Sequence, residues 1–288
     1  MKKRFLDKYF SAYTNAEWII IKITISSFWL YIIKITSINK DAVPFPSGFC
    51  TFFDCSALVS SYTLVLFFLT ACLLTVLYIL EKWMIFTTIS MFLVSLILFT
   101  LEDSNGILNY NVLYSMTFFV QFIAYYRNNA NLKSERIQFP IQIIAAGYTL
   151  AGISKLYESG LGWVAQAPQA SIQMLKNYCY AYYDTGDNLY LDKGMQLTTY
   201  ALEHANTIKT LFAVSLFLEL FACLALINKK SAFIYGLLLT SMHIGIFYFM
   251  HIIIIPVFIP MLTFMVNPWG LVYWSLSVIS SPRQVLPR

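Results

Sequence analysis

Long apolar runs separated by short polar stretches organise the chain from end to end. Crossing about 30 Å of hydrocarbon takes roughly 20 apolar residues in helix, and about eight runs approach that length. They cover Trp18–Ile35, Ala57–Leu80, Trp83–Leu101, Ile107–Tyr126, Phe139–Leu156, Thr210–Ile227, Ala232–Met250 and Ile252–Val266. The pattern predicts an all-α integral membrane protein, one transmembrane domain over residues 1–288 with an extracytoplasmic loop at about 157–209. The eighth run is short and holds Pro256 and Pro260, and the stretch Leu271–Ile279 after it is too short to cross and is expected at the interface. Lys22 and Lys34 sit close enough to the ends of the first run to snorkel. With no small-x-small site following it, that run is expected to stay as an anchored span and not be cleaved as a signal peptide.

Composition agrees with the pattern. Of 288 residues, 59% are hydrophobic and 11% charged, which excludes an ordinary water-soluble globule of this length. A formal charge of +5 raises the question of nucleic acid, but the 19 Lys and Arg are scattered, most of them between apolar runs. That distribution describes topology, so membrane lipid is the expected surrounding and no nucleic-acid partner is expected. Lys2, Lys3, Arg4 and Lys8, then Lys82, then Arg127, Lys133 and Arg136, then Lys229 and Lys230, then Arg283 and Arg288 occupy alternate connections. Basic connections are retained inside, so both termini are expected in the cytoplasm and the number of spans is even. The expected location is the cell membrane, crossed many times. No phosphate loop, serine triad, zinc cluster or nucleotide fingerprint appears, which argues against hydrolases and ATPases.

On this topology Cys50, Cys55 and Cys179 face an oxidising exterior, while Cys72 and Cys223 lie within spans as small apolar packers. Cys50 and Cys55 are a candidate disulfide pair; a structural bridge, an exchanging dithiol and free thiols all stand open at this point. Trp163, Tyr178, Tyr180, Tyr182, Tyr183 and Tyr190 enrich the outer segment, as an interfacial aromatic belt would, or as a lid over a membrane cavity.

An ionisable group inside a span is costly unless it is paired or faces water, so each one marks a candidate site. Three stand out: Lys155 near the outer end of the fifth span, Glu219 midway along the sixth and His243 midway along the seventh. Glu219 is too far from either end to snorkel, so it must be protonated or paired with a cation such as Lys155 or His243. Gly147, Ala151 and Gly152 let a neighbouring helix approach the face just before Lys155. A desolvated lysine is a usable general base and a nearby carboxylate opposes that shift, so contact with Glu219 decides its chemistry. Asn109, Tyr110 and Asn111 open the fourth span at the same outer depth and form the expected supporting polar cluster. His243 and His251 alone, eight residues apart, are too few ligands for a metal, and no metal site is expected.

These residues also carry a resemblance. Ala151-Gly152-Ile153-Ser154-Lys155-Leu156, the acid in Leu218-Glu219-Leu220 and His243 resemble the membrane domain of vitamin K-dependent gamma-glutamyl carboxylase and its bacterial relatives, the horizontally transferred transmembrane (HTTM) family. Pro46-Ser47-Gly48 in the first outer loop and Asn109 to Leu113 follow the same order. The resemblance implies a lysine that takes part in oxygenating a reduced quinone to make a strong base, with Lys155 in that place. Tyr110 stands where the carboxylase has a histidine, and the carboxylase's large extracytoplasmic domain has no counterpart here. In size the chain is most similar to the bacterial sporulation-delaying protein B type, associated with maturing a secreted peptide toxin. The resemblance therefore implies modification or maturation of an exported peptide at the outer face, catalytic or not, with a quinone-like or lipid co-substrate and co-encoded maturation proteins. Two other expectations stand beside it: a quinone–thiol redox protein of the DoxX or MauE sort working through Cys50 and Cys55, and a non-catalytic peptide-binding or immunity protein.

Overall fold

The computed structural model describes residues 9–38, 47–55, 58, 60–104, 112–160, 162–252 and 255–280. Among them every regular element is helical. In order they are α1 (Asn15–Ile38), α2 (Ser61–Ile79), α3 (Met84–Asp103), α4 (Val112–Arg127), α5 (Leu132–Ser159), α6 (Gly162–Ala165), α7 (Ala170–Thr185), α8 (Asn188–Glu203), α9 (Ala205–Leu220), α10 (Lys229–Met250), α11 (Ile255–Met261) and α12 (Pro268–Ser280). Asn109, Tyr110 and Asn111 lie outside the described residues.

Among the described residues six stretches are long and apolar enough to cross a membrane: Asn15–Ile35, Ser61–Ile79, Met84–Leu101, Leu132–Ser159, Lys229–Met250 and Ile255–Leu276. The other two runs read from the sequence correspond to shorter helices, α4 and α9, of 16 residues each. At Phe221, α9 gives way to a 3-10 segment, Ala222–Leu226, which carries the apolar run onward. By length and apolar composition, the last of these stretches runs beyond the eighth run read from the sequence, through residues 271–276. A π-helical turn, Leu262–Val266, and Asn267 at φ +45° join α11 to α12. Asn267 Oδ1 accepts the Gly270 N–H at 3.0 Å, and Pro268 takes the first helical position, where a missing N–H costs nothing.

The described residues form two compact units, one within Met1–Ile143 and Ile259–Arg288, the other within Ile144–Phe258. In the first, α1 to α4 pack as neighbours. Lipid tails are as apolar as leucine, so contacts between spans draw on close packing and hydrogen bonds. Here Trp29 Nε1 donates to Ser95 Oγ at 2.7 Å, the Tyr78 hydroxyl donates to Gln121 Oε1 at 2.8 Å, and the Tyr114 hydroxyl donates to the Ile25 carbonyl. At the C-terminal end of α3, Ser47 Oγ donates to Asp103 Oδ2 at 2.6 Å, and Gly48, at φ +51°, lies against Thr100. A disulfide joins Cys50 to Cys55 in the same segment.

In the second unit the segment read from the sequence as an extracytoplasmic loop is built of helices. Thr185-Gly186-Asp187 makes the turn between α7 and α8: Gly186 at φ +72° ends one helix and Asp187 Oδ1 caps the next by accepting the Leu189 N–H at 2.9 Å. A Cβ at Gly194 would lie 2.6 Å from Tyr178 Cβ, so only glycine allows the two helices this close. The Tyr178 hydroxyl donates to the Tyr248 carbonyl at 2.8 Å and Asn177 Nδ2 to the Met250 carbonyl at 2.7 Å, which ties the hairpin to the end of α10.

Candidate functional site

Tyr148, Gly152 and Lys155 recur at i, i+4 and i+7, on one face of α5. Gly152 has no Cβ, and one built there would meet Leu220 side-chain carbons and its backbone nitrogen at 3.1 Å. The end of α9 therefore comes directly against this face, and the residue before Leu220 is Glu219. Lys155 Nζ donates to Glu219 Oε1 at 2.6 Å and to Oε2 at 2.5 Å. Both oxygens are engaged by one ammonium, so the two charges cancel locally, as burial in an apolar bundle requires.

The two partners are not equally hidden. Glu219's side chain is 7% exposed and that of Lys155 29%, so the carboxylate lies behind and the amine in front. Over the amine lies the indole of Trp163, from the short helix α6, with Lys155 Nζ 4.8 Å from its ring centroid. A ring face attracts the cation without accepting a strong hydrogen bond. Trp163 is itself held by Phe212 of α9, their ring centroids 5.1 Å apart. Leu150 and Ile153, on the opposite face of α5, are exposed.

His243, on α10, meets Tyr148: its Nε2 is hydrogen-bonded to the phenol oxygen. Tyr148 is seven residues before Lys155, about 10 Å along the helix axis. The structure thus brings Lys155, Glu219 and His243 into one neighbourhood within one unit. Tyr148 was not singled out in the sequence, and Trp163 was read there with the other aromatics as an interfacial belt or a lid. A tyrosine in a span reads as a packing residue, and a tryptophan in an outer segment reads as part of an interfacial belt.

The remaining candidates lie elsewhere. Cys50 and Cys55 are buried in their disulfide in the first unit, and Cys72, Cys179 and Cys223 are free thiols. The ring of His251 lies among those of Tyr178, Tyr190 and Phe247. Among the described residues no cluster of three or more His, Cys, Asp or Glu is placed to hold a metal.

A second charged cluster, in the first unit, escaped the sequence reading. Lys22 does not snorkel. Its ammonium donates to the Ile79 carbonyl at 2.8 Å and pairs with Glu81 Oε1 at 2.9 Å. Trp18 Nε1 donates to the same oxygen at 2.5 Å, Arg136 NH1 approaches it at 3.5 Å, and the Arg136 guanidinium lies 4.5 Å from the centroid of Trp18. Glu81 sits at φ +54° in the turn between α2 and α3. Partial burial pushes its carboxyl up, but the hydrogen bonds from Lys22 and Trp18 and the charges of Lys22 and Arg136 outweigh that and hold it below the usual range. The start of α1, the end of α2 and the first turns of α5 are locked together there. No family model matches the chain, and neither does any curated protein or solved structure.

Proposed function

We propose that this chain is a bacterial cell-membrane protein of eight spans, both termini cytoplasmic, that assists the modification or maturation of an exported peptide at the extracytoplasmic face, with Lys155 and Glu219 as its working pair. The observation that carries this reading is the bidentate Lys155–Glu219 contact, arranged with the amine in front and the carboxylate behind. A proton can pass from the ammonium to the carboxylate within the pair, leaving an amine and a carboxylic acid with no change in net charge. Such a pair serves as an acid–base unit in an apolar site without stranding a charge. Further support for the eight-span count comes from α4 and α9, which fall where the two additional runs were read.

The quinone–thiol redox reading is less well supported, because thiol exchange needs an accessible sulfur and both Cys50 and Cys55 are buried. Binding a peptide without chemistry would need no acid–base pair. The test is the double variant Lys155→Met with Glu219→Leu, which removes both charges and strands neither. Its membrane abundance is expected to match the wild type while the mature form of the co-encoded exported peptide disappears from the medium, followed by mass spectrometry. Full maturation by this variant at normal abundance overturns the assignment. Replacing Cys50 and Cys55 together by serine is expected to leave maturation intact.

A further inference from the structure

The hydrogen bond between Tyr148 and His243 is the feature of the second unit that the acid–base pair does not use. An imidazole has two nitrogens, and the partner of one decides what the other offers. Tyr148 is buried near the middle of α5 and its oxygen meets Nε2 of His243. Of the two groups the phenol is the stronger acid and the imidazole the stronger base, so the favoured arrangement has the phenol O–H donating to an unprotonated Nε2. The ring proton then resides on Nδ1. Had the histidine been an isolated group in a span, either tautomer would serve and its role would stay open. The tyrosine biases that choice, because in the opposite tautomer its hydroxyl hydrogen would turn aside and the phenol oxygen, a much poorer acceptor than an imidazole nitrogen, would have to take the Nε2–H.

We propose that Tyr148 is a positioning residue that fixes His243 as its Nδ1–H tautomer, so that the imidazole offers the site an N–H donor and not a basic nitrogen. This deepens the reading above and rests on it for its meaning in function. An N–H donor on His243, beside those of Lys155, suits oxygen acceptors such as the carbonyl or carboxylate oxygens of a peptide. Proton transfer stays with Lys155 and Glu219, and His243 polarises or orients. His243→Gln, which keeps an N–H donor but no titratable nitrogen, is therefore better tolerated than His243→Leu, which keeps neither.

The test is nitrogen NMR of the full chain, labelled on histidine and reconstituted in lipid, at neutral pH. Only three histidines are present, so His243→Gln assigns the resonance by difference. The expected spectrum shows His243 with a protonated Nδ1 and an unprotonated Nε2, in excess of about tenfold over the other tautomer, the ratio one hydrogen bond supports. In Tyr148→Phe, which preserves ring volume, the excess falls toward an even mixture. A wild-type spectrum with Nε2 protonated, or with an imidazolium, overturns the proposal, and so does an unchanged ratio in Tyr148→Phe. The wild-type spectrum decides the matter even where the phenylalanine variant fails to fold. Loss of the tautomer preference together with full maturation would contradict the positioning role while leaving the Lys155–Glu219 reading intact; loss of maturation in the double charge variant tests that reading separately.

Discussion

The two charged clusters use the same three residue types in opposite ways. In the first unit the lysine is the hidden partner: Lys22's side chain is 5% exposed, whereas that of Glu81 is 42% exposed. The Lys22 ammonium is also bonded to a backbone carbonyl, and Arg136 and Trp18 crowd the same carboxylate oxygen. Every donor is turned inward on a tight turn, which is how a clamp between helix ends is built. In the second unit the carboxylate is hidden and the amine stands forward, covered only by an indole face. Lys22 points toward the protein's backbone, whereas Lys155 is held from behind and left approachable, as the proposed chemistry requires. The pairing alone does not distinguish them, and the direction of exposure does.

Breaking the pairs one partner at a time should expose this difference. The largest effect is expected for Lys155→Met alone, which strands the buried Glu219 carboxylate at a cost of roughly 3–5 kcal/mol. Adding Glu219→Leu recovers most of it, since a buried pair replaced by apolar side chains is often neutral. Thermal unfolding in detergent of both single variants and the double variant measures that coupling. Glu219→Leu alone should cost less than Lys155→Met, because the lysine can turn outward and the glutamate cannot.

Glu81→Gln is expected to be next, at about 2–3 kcal/mol, the lower side of the range for a stranded buried charge because Glu81 is itself part exposed. The sign of the pH dependence follows from its depressed carboxyl. The contribution is present above the unfolded-state value, near 4.5, and is lost as pH falls through the folded-state value. Acid unfolding of the wild type should therefore include a component that Glu81→Gln lacks. Should the two proteins lose stability in parallel below that pH, the clamp is not worth what its geometry suggests.

Gly152→Ala should cost about 1–3 kcal/mol by forcing the end of α9 away from α5, and it should weaken maturation more than a surface change of equal stability cost. The smallest effect belongs to Trp163→Leu, about 0.5–2 kcal/mol from the lost cation–π contact, seen as a modest shift in unfolding midpoint.

The charged centre of the second unit was legible because an ionisable residue in an apolar run is expensive, so Lys155, Glu219 and His243 announce themselves by position. Gly152 next to Lys155 also signalled close approach, and Leu220 supplies it. Tyr148 and Trp163 were not legible, since an aromatic ring in lipid or at its edge needs no special reason to be there. Lys22 was misread for a related cause: closeness to a span end permits snorkelling, and only the fold brings Glu81, 59 residues later in the chain, beside it. The outer segment from Gly162 to Glu203 read as a polar stretch because its helices α7 and α8 are amphipathic and aromatic, without the long apolar runs that mark the spans. At the end of the chain Pro256 and Pro260 read as a broken span, and the helix is interrupted there, by the π-helical turn Leu262–Val266 and by Asn267.

The central claim is that the Lys155 position opens to the exterior of the cell, and cysteine labelling tests it most directly. Lys155→Cys is paired with Glu219→Gln, in a background where Cys72, Cys179 and Cys223 are serine. Intact cells are then treated with a membrane-impermeant maleimide. The account predicts labelling from outside, increased when Trp163 is also replaced by alanine. Labelling that appears only after the cells are permeabilised contradicts it.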